Sequence, residues 1–264
     1  MKLNQVVVRE IEKISEVAGY LWQRKWAERN AGNISLNLTG LADVGSISTK
    51  GCNYVKSILP AEAAGLVIFV SGTGERLRDL IKTPEKAACI IVVESNVQGY
   101  HIVWGGAGRP DIRPTSEFLT HIAIHLFNIQ AGNNHRCVVH THPVELIALS
   151  HHKLFGHDQD ALNKALWSML PEIRLFIPKG VFLAPYKLPG SQALADITVQ
   201  GLKNHSVILW AKHGALATGI DASEAFDAID VANKGAEIYL KCLQAGFVPE
   251  GMSDEEMKGL DIFL

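Results

Sequence analysis

Cysteine is scarce: four residues in 264, at Cys52, Cys89, Cys137 and Cys242, with no Cys-x-x-Cys pair. In a chain of this length that spacing excludes a disulfide framework and a cysteine-based zinc site, and reduced cytoplasmic thiols are expected. No uninterrupted apolar run reaches the ~18 residues of a membrane span. Charges at Lys2, Arg9 and Glu10 break up the N-terminus too early for a signal peptide. Excess positive charge is missing too. The formal net charge is −2 and no Lys/Arg stripe runs along the chain, so nucleic acid is not the expected partner. A small phosphorylated ligand stays open, because a few backbone N–H groups can hold a phosphate. Neither a Walker A run nor a Gly-x-Gly-x-x-Gly is present, which disfavours a nucleotide. With no repeat, low-complexity tract or Pro/Ser-rich linker, residues 1–264 are expected to form a single domain.

What is present is an ordinary globular balance, 47% hydrophobic and 20% charged. Such a chain buries its core without a structural staple, so any bound metal is free for chemistry. Periodicity predicts a long amphipathic helix over residues 5–28, with Val8, Ile11, Ile14, Ala18, Leu21 and Trp22 on its apolar face. Strands are predicted at Ile34–Thr39, Gly65–Glu75 (a buried strand running into a Gly-rich turn), Ala88–Ser95, Gly99–Gly105 and Arg136–Pro143, the third and fourth forming a hairpin. Residues 40–61 read as loop with some extended structure. RLFIP, within 174–178, and VFLAPY read as short strands, and HSVILWAKHGALATG as strand–turn–strand. Helices are predicted over 114–130, 158–169, 189–204 and 221–246. Asp221 and Glu224 supply a capping signal for the last. The fold class is α/β: a mixed, mostly antiparallel sheet covered by helices on both faces.

His140 and His142 stand one residue apart on a predicted strand, where i and i+2 share a face. Two imidazoles projecting together make half of a metal site. His213, just past another strand, supplies the third ligand that a three-histidine catalytic site with an open position needs. On spacing alone the trio reads equally as polar strand-end residues, since the chain has eleven histidines. A competing set, Glu117, His121 and His125, falls at i, i+4 and i+8 on one predicted helix. The two histidines there lie in an apolar helix and read best as satisfied core side chains. Glu117, in the first turn, is placed to face a pocket. Three polar, Gly-containing or helix-starting turns, Asn30–Asn33, Ser71–Gly74 and Pro114–Ser116, offer backbone nests for an anion, although such turns usually only connect elements.

RNAGN, VSGTG, GYHIVWG, PTSE, VVHTHP, an LW…PE segment and a late HG occur in that order from about residue 10 to about residue 245. In this the chain resembles the class II, zinc-dependent sugar-phosphate aldolases. The resemblance implies that His140, His142 and His213 ligate Zn²⁺ and that Glu117 is the catalytic acid/base. It implies phosphate contacts from Asn30, Gly32, Asn33, Thr73, Gly74, Thr115 and Ser116. It implies a cyclic homotetramer in which Glu172 reaches a neighbouring subunit's site. Within the family, GYHIVWG and the LW…PE segment imply L-rhamnulose 1-phosphate as substrate, cleaved reversibly to dihydroxyacetone phosphate and L-lactaldehyde. Other activities of the superfamily compete: aldol cleavage of L-fuculose 1-phosphate, 4-epimerisation of L-ribulose 5-phosphate, dehydration, and the non-catalytic role of the adducin head. An epimerase is expected to carry Asp where Glu117 stands, and the adducin head lacks the metal ligands. Residues 41–60, Thr73 in place of a familiar Ser, and the tail after residue 245 depart from the family pattern.

Overall fold

The structure, a computed structural model, describes residues 3–42, 47–106, 109 and 111–263. Residues 43–46, inside the stretch read as loop, lie outside the described residues, as do residues 1, 2 and 264 of the N-terminal and tail segments. The helices are α1 (Gln5–Gln23), α2 (Leu77–Leu80), α3 (Pro84–Ala87), α4 (Phe118–Gln130), α5 (Val144–Ser150), α6 (Gln159–Met169), α7 (Pro171–Phe176), α8 (Gln192–Leu202), α9 (Ala222–Gln244) and α10 (Asp254–Gly259). The strands are β1 (Asn33–Asn37), β2 (Asn53–Lys56), β3 (Val67–Ser71), β4 (Ala88–Val93), β5 (Gly99–Gly105), β6 (Cys137–Thr141), β7 (Val181–Ala184), β8 (Val207–Trp210) and β9 (Gly214–Gly219). All nine join one sheet in the order β2-β5-β4-β3-β1-β6-β9-β8-β7. Every neighbouring pair is antiparallel except β7–β8. The mixed, mostly antiparallel α/β class read from the sequence is what the chain adopts.

Strand alternation sorts the core into two faces. Ile34, Leu36, Val139, Leu209 and Ala217 pack with Ile11, Ile14 and Leu21 of α1 and with Ile229 and Ala232 of α9. The alternate positions face the other way. Val138, Ile208 and Leu216 meet Ile124 of α4 and Leu194 and Leu202 of α8, while Ile68 and Val70 meet Phe118 and Ile122 of α4. Asn33, Ser35 and His140 belong to this second set by parity. Asn33 pairs directly with His140 across β1–β6. The sheet thus aims polar side chains of its two central strands at the start of α4.

Several boundaries differ from the sequence expectation. α1 ends at Gln23 rather than residue 28, because Lys25 takes a left-handed backbone (φ 62°) and turns Trp26 into the core. Val7 and Val17 occupy its buried face, whereas Val8 and Trp22 are exposed. RLFIP is not a strand. Its first residues belong to α7, which Pro171 starts at the first helical position and which buries Ile173 alone. A run this short carries no period that separates helix from strand. Residues 53–56 form the edge strand β2, on which no residue is fully buried, so the alternation that reveals other strands is weak there. α4 begins at Phe118, not in the first turn at Pro114, because Pro114 is held in a bridge to Gly72. At α9, Asp221 accepts from the Ser223 and Glu224 N–H groups as expected, but the Glu224 carboxylate reaches back to the N–H of Ile220, one residue before the cap. Among the described residues no helix is long and apolar enough to cross a membrane.

Candidate active site

β6 ends at Thr141, and the Thr141 hydroxyl and the His142 N–H both bond to the carbonyl of Trp26, which fixes the exit of the strand. His140 and His142 therefore project from the same end of the sheet. β8 and β9 are joined by a tight turn in which Lys212 is left-handed (φ 64°) and the His213 N–H bonds back to Trp210. That turn swings His213 over β6. The candidate ligand atoms of His140, His142 and His213 lie within 4.8 Å of one another, the one such group among the described residues. Trp210, buried beneath them, lies 4.5 Å from the His140 ring centroid and stacks on His213 at 5.1 Å. Its indole N–H is tied to the Thr198 hydroxyl at 2.9 Å.

The chemistry of this donor set fits a divalent metal. A ligating imidazole must be neutral, and an acceptor on its other nitrogen orients it; two of the three rings have one, while His213 Nδ1 is buried without a partner. His140 Nδ1 donates to the Ala215 carbonyl at 3.0 Å and His142 Nδ1 to the Glu28 carboxylate at 2.8 Å. In a neutral ring either bond leaves Nε2 with a bare lone pair. Burial pushes the His140 pKa well below the ordinary histidine value, with His213 and His142 adding to the effect. Burial, with a smaller contribution from His142, lowers His213 to about 4. The His140 and His213 rings are thus kept uncharged at neutral pH, and a three-imidazole set suits a divalent metal with a further position open to a ligand.

Glu117 is the N-cap residue of α4, 4% exposed. Its carboxylate lies 3.7 Å from His140 Nε2 and 3.6 Å from His213 Nε2. The Asn33 side-chain N–H donates to it at 2.8 Å. Burial raises the Glu117 pKa above the ordinary carboxylate range, while the Asn33 bond and the neighbouring His142 pull it back. A carboxyl group poised in this way can both take and return a proton.

One cavity of about 390 Å³ joins these groups to all three polar turns. His140, His142, His213 and Glu117 line one part of it. Asn30, Gly32, Asn33, Thr73, Gly74, Thr115 and Ser116 line the rest. Gly32 cannot be replaced there without strain: its φ is 76°, and a Cβ would fall 2.9 Å from Leu77 Cδ1 and 3.0 Å from the His140 carbonyl. Glu172 is not in this cavity; it is exposed in the first turn of α7. Four participants were not singled out from the sequence: Glu28, Arg29, Pro189 and Trp210. Glu28 and Arg29 adjoin the Asn30–Asn33 turn, so proximity to that turn was the available signal. Pro189 had none. The bland reading of His121 and His125 holds in that both are fully buried and neither joins the metal group, burial lowering each to about 3.

Residues 12–240 match the class II aldolase and adducin N-terminal domain family, and the chain belongs to it. Among its relatives, the rhamnulose-1-phosphate aldolase of Bacteroides thetaiotaomicron is 40% identical over 259 residues, covering 97% of this chain and 94% of its own. The rhamnulose-1-phosphate aldolase of Pectobacterium atrosepticum is 32% identical, covering 91% of this chain and 88% of its own. The crystal structure of a sugar-phosphate aldolase from Thermotoga maritima superposes with a TM-score of 0.76 at 30% identity, covering 93% of this chain and 99% of that one.

Proposed function

We propose that the chain is a zinc-dependent aldolase that reversibly cleaves L-rhamnulose 1-phosphate to dihydroxyacetone phosphate and L-lactaldehyde. The observation that carries this is the convergence of three histidines, one buried carboxyl group and three polar turns on one cavity. The names of the two relatives, each similar over nine-tenths of this chain, support the choice of sugar.

In this reading His140, His142 and His213 hold zinc. When bound, the metal acts as a Lewis acid that stabilises the negative charge developing on the ketone fragment. The turns at Asn30–Asn33, Thr73–Gly74 and Thr115–Ser116 anchor the phosphate, which fixes the reacting carbons relative to Glu117. The hydroxyl on the fourth carbon gives its proton to solvent and becomes the L-lactaldehyde carbonyl as the bond between the third and fourth carbons breaks, and the electron pair of that bond stays on the ketone fragment. Glu117 delivers a proton to that third carbon, completing dihydroxyacetone phosphate, and removes it again in the synthetic direction. Glu172 completes the site of a neighbouring copy in a homotetramer.

The test is a product assay on L-rhamnulose 1-phosphate, L-fuculose 1-phosphate and L-ribulose 5-phosphate. The expected result is dihydroxyacetone phosphate and L-lactaldehyde from the first at the highest kcat/KM. Preferred cleavage of the second, or epimerisation of the third, overturns the substrate assignment.

A further inference from the structure

Behind Glu117 runs a buried chain of polar side chains that, beyond Asn33, the reaction as described does not use. Asn33 Nδ2 lies 2.8 Å from Glu117 Oε2, and Asn33 Oδ1 lies 2.5 Å from His121 Nε2. Ser35 Oγ lies 2.6 Å from His121 Nδ1 and 2.8 Å from His125 Nε2. Asn33 and Ser35 come from β1, the two histidines from α4, and all four side chains are buried.

The direction of every bond follows from the first. The Asn33 atom facing Glu117 is the amide N–H, which donates to the carboxyl oxygen. The other end of the amide is then a carbonyl oxygen, and His121 Nε2 must donate to it. Burial keeps the His121 ring neutral, so its Nδ1 is bare and accepts the Ser35 hydroxyl proton. Ser35 has then spent its only hydrogen and accepts from His125 Nε2–H. That leaves His125 Nδ1 without a proton and without a partner, and this atom is indeed buried with no hydrogen bond. All four bonds therefore donate toward Glu117, and each donor polarises the next.

We infer that His121, backed by Ser35 and His125, is a positioning residue for the aldol step: it locks the Asn33 amide so that its N–H rather than its carbonyl faces Glu117. A reversed amide would set its oxygen against the carboxylate, two acceptors in contact, and drive Glu117 from its place beside the histidine trio. The same amide borders the cavity through Asn33, so one orientation serves both the anchor and the base. The role rests on the aldolase reading given above, whereas the bond directions do not.

Two substitutions separate positioning from packing. The amide of a glutamine reaches the place of His Nε2, and that of an asparagine the place of His Nδ1. His121→Gln retains the donor to Asn33; His121→Asn loses it and keeps only the Ser35 contact. Both remove the ring. Cleavage of L-rhamnulose 1-phosphate is expected to stay within about threefold of the parent in His121→Gln and to fall at least tenfold in kcat in His121→Asn. Equal activity in the two, after correction for folded fraction, overturns the role. An independent arm reads the unsubstituted protein by ¹H–¹⁵N spectroscopy of the imidazoles. Protons on Nε2 of both His121 and His125 are expected, and a proton on His121 Nδ1 overturns the inference. That arm decides even if neither variant folds. If the unsubstituted protein cleaves no ketose phosphate, the functional reading fails while the spectrum still settles the chain's direction.

Discussion

Replacing Gly214 with alanine strikes the candidate metal site through the sheet rather than through a ligand. Gly214 opens β9 where that strand passes the end of β6. A Cβ built there falls 2.5 Å from the Thr141 carbonyl oxygen, 2.8 Å from His140 Cε1 and 2.9 Å from His142 Cδ2. Ordinary contact begins at 3.4 Å, so the overlap with a strand carbonyl is about 0.9 Å, and that carbonyl belongs to a residue paired with Ala215 across β6–β9. Overpacking of a tight core costs ~1–3 kcal/mol. An overlap with backbone belongs in the upper half of that range. Both imidazoles must also shift, so zinc affinity should fall by a factor of ten or more. Urea denaturation of metal-stripped protein measures the first effect, and titration against a chromophoric chelator the second. Gly132→Ala is the control. Gly132 has a φ of 65° but open space around it, so that variant should lose stability without losing zinc. If Gly214→Ala keeps its zinc affinity within twofold, the packing argument for how the site is held is wrong.

Glu117→Gln should keep its zinc and lose a factor of about 10²–10⁴ in turnover, read from steady-state kinetics and metal content; normal turnover refutes the acid/base role. Acid should destabilise the fold through its buried histidines. Burial lowers His125 from 6.5 to about 3 in the folded chain. Its contribution is therefore complete above about pH 6.5 and is lost as pH falls toward 3, because the unfolded state binds the proton first. Urea midpoints between pH 7 and pH 4.5 should fall more steeply for the parent than for His125→Gln, by up to about tenfold in the folding constant per pH unit; identical slopes contradict this. Asp221→Ala removes the acceptor for two N–H groups at the start of α9 and should cost ~0.5–2 kcal/mol, most of it recovered by Asp221→Asn. Thermal unfolding of the two variants decides.

What could be read in the sequence is what depends on local spacing. His140 and His142 share a face because alternate strand residues do, and the hairpin of β4 and β5 is marked by the short polar run between them. Glu117 was legible as a pocket residue near a helix start, although Pro114 made the helix look one turn longer than it is. The unread part depends on contacts made across the fold. Ser35 and His121 are 86 residues apart, and His142 and Glu28 are 114 apart. No pattern along the chain announces either pair. His121 and His125 look like core residues by every local criterion, and they are. Their orientation toward Asn33 is set by the register of β1 on β6 and by the placing of α4, neither of which the sequence pattern specifies. α7 was misread, and β2 was seen only as some extended structure in a loop, for a different reason: six and four residues respectively, with little buried surface, leave too short a pattern to reveal a period.

The central claim is that zinc held by His140, His142 and His213 makes this chain cleave a ketose phosphate. Titrating zinc into the metal-stripped protein while following dihydroxyacetone phosphate release from L-rhamnulose 1-phosphate tests it directly. The activity should be absent at the start, rise in proportion to added zinc, break at one ion per chain, and fail to return in a His140→Ala variant. Full cleavage by the metal-free chain, or full restoration by zinc in that variant, would contradict it.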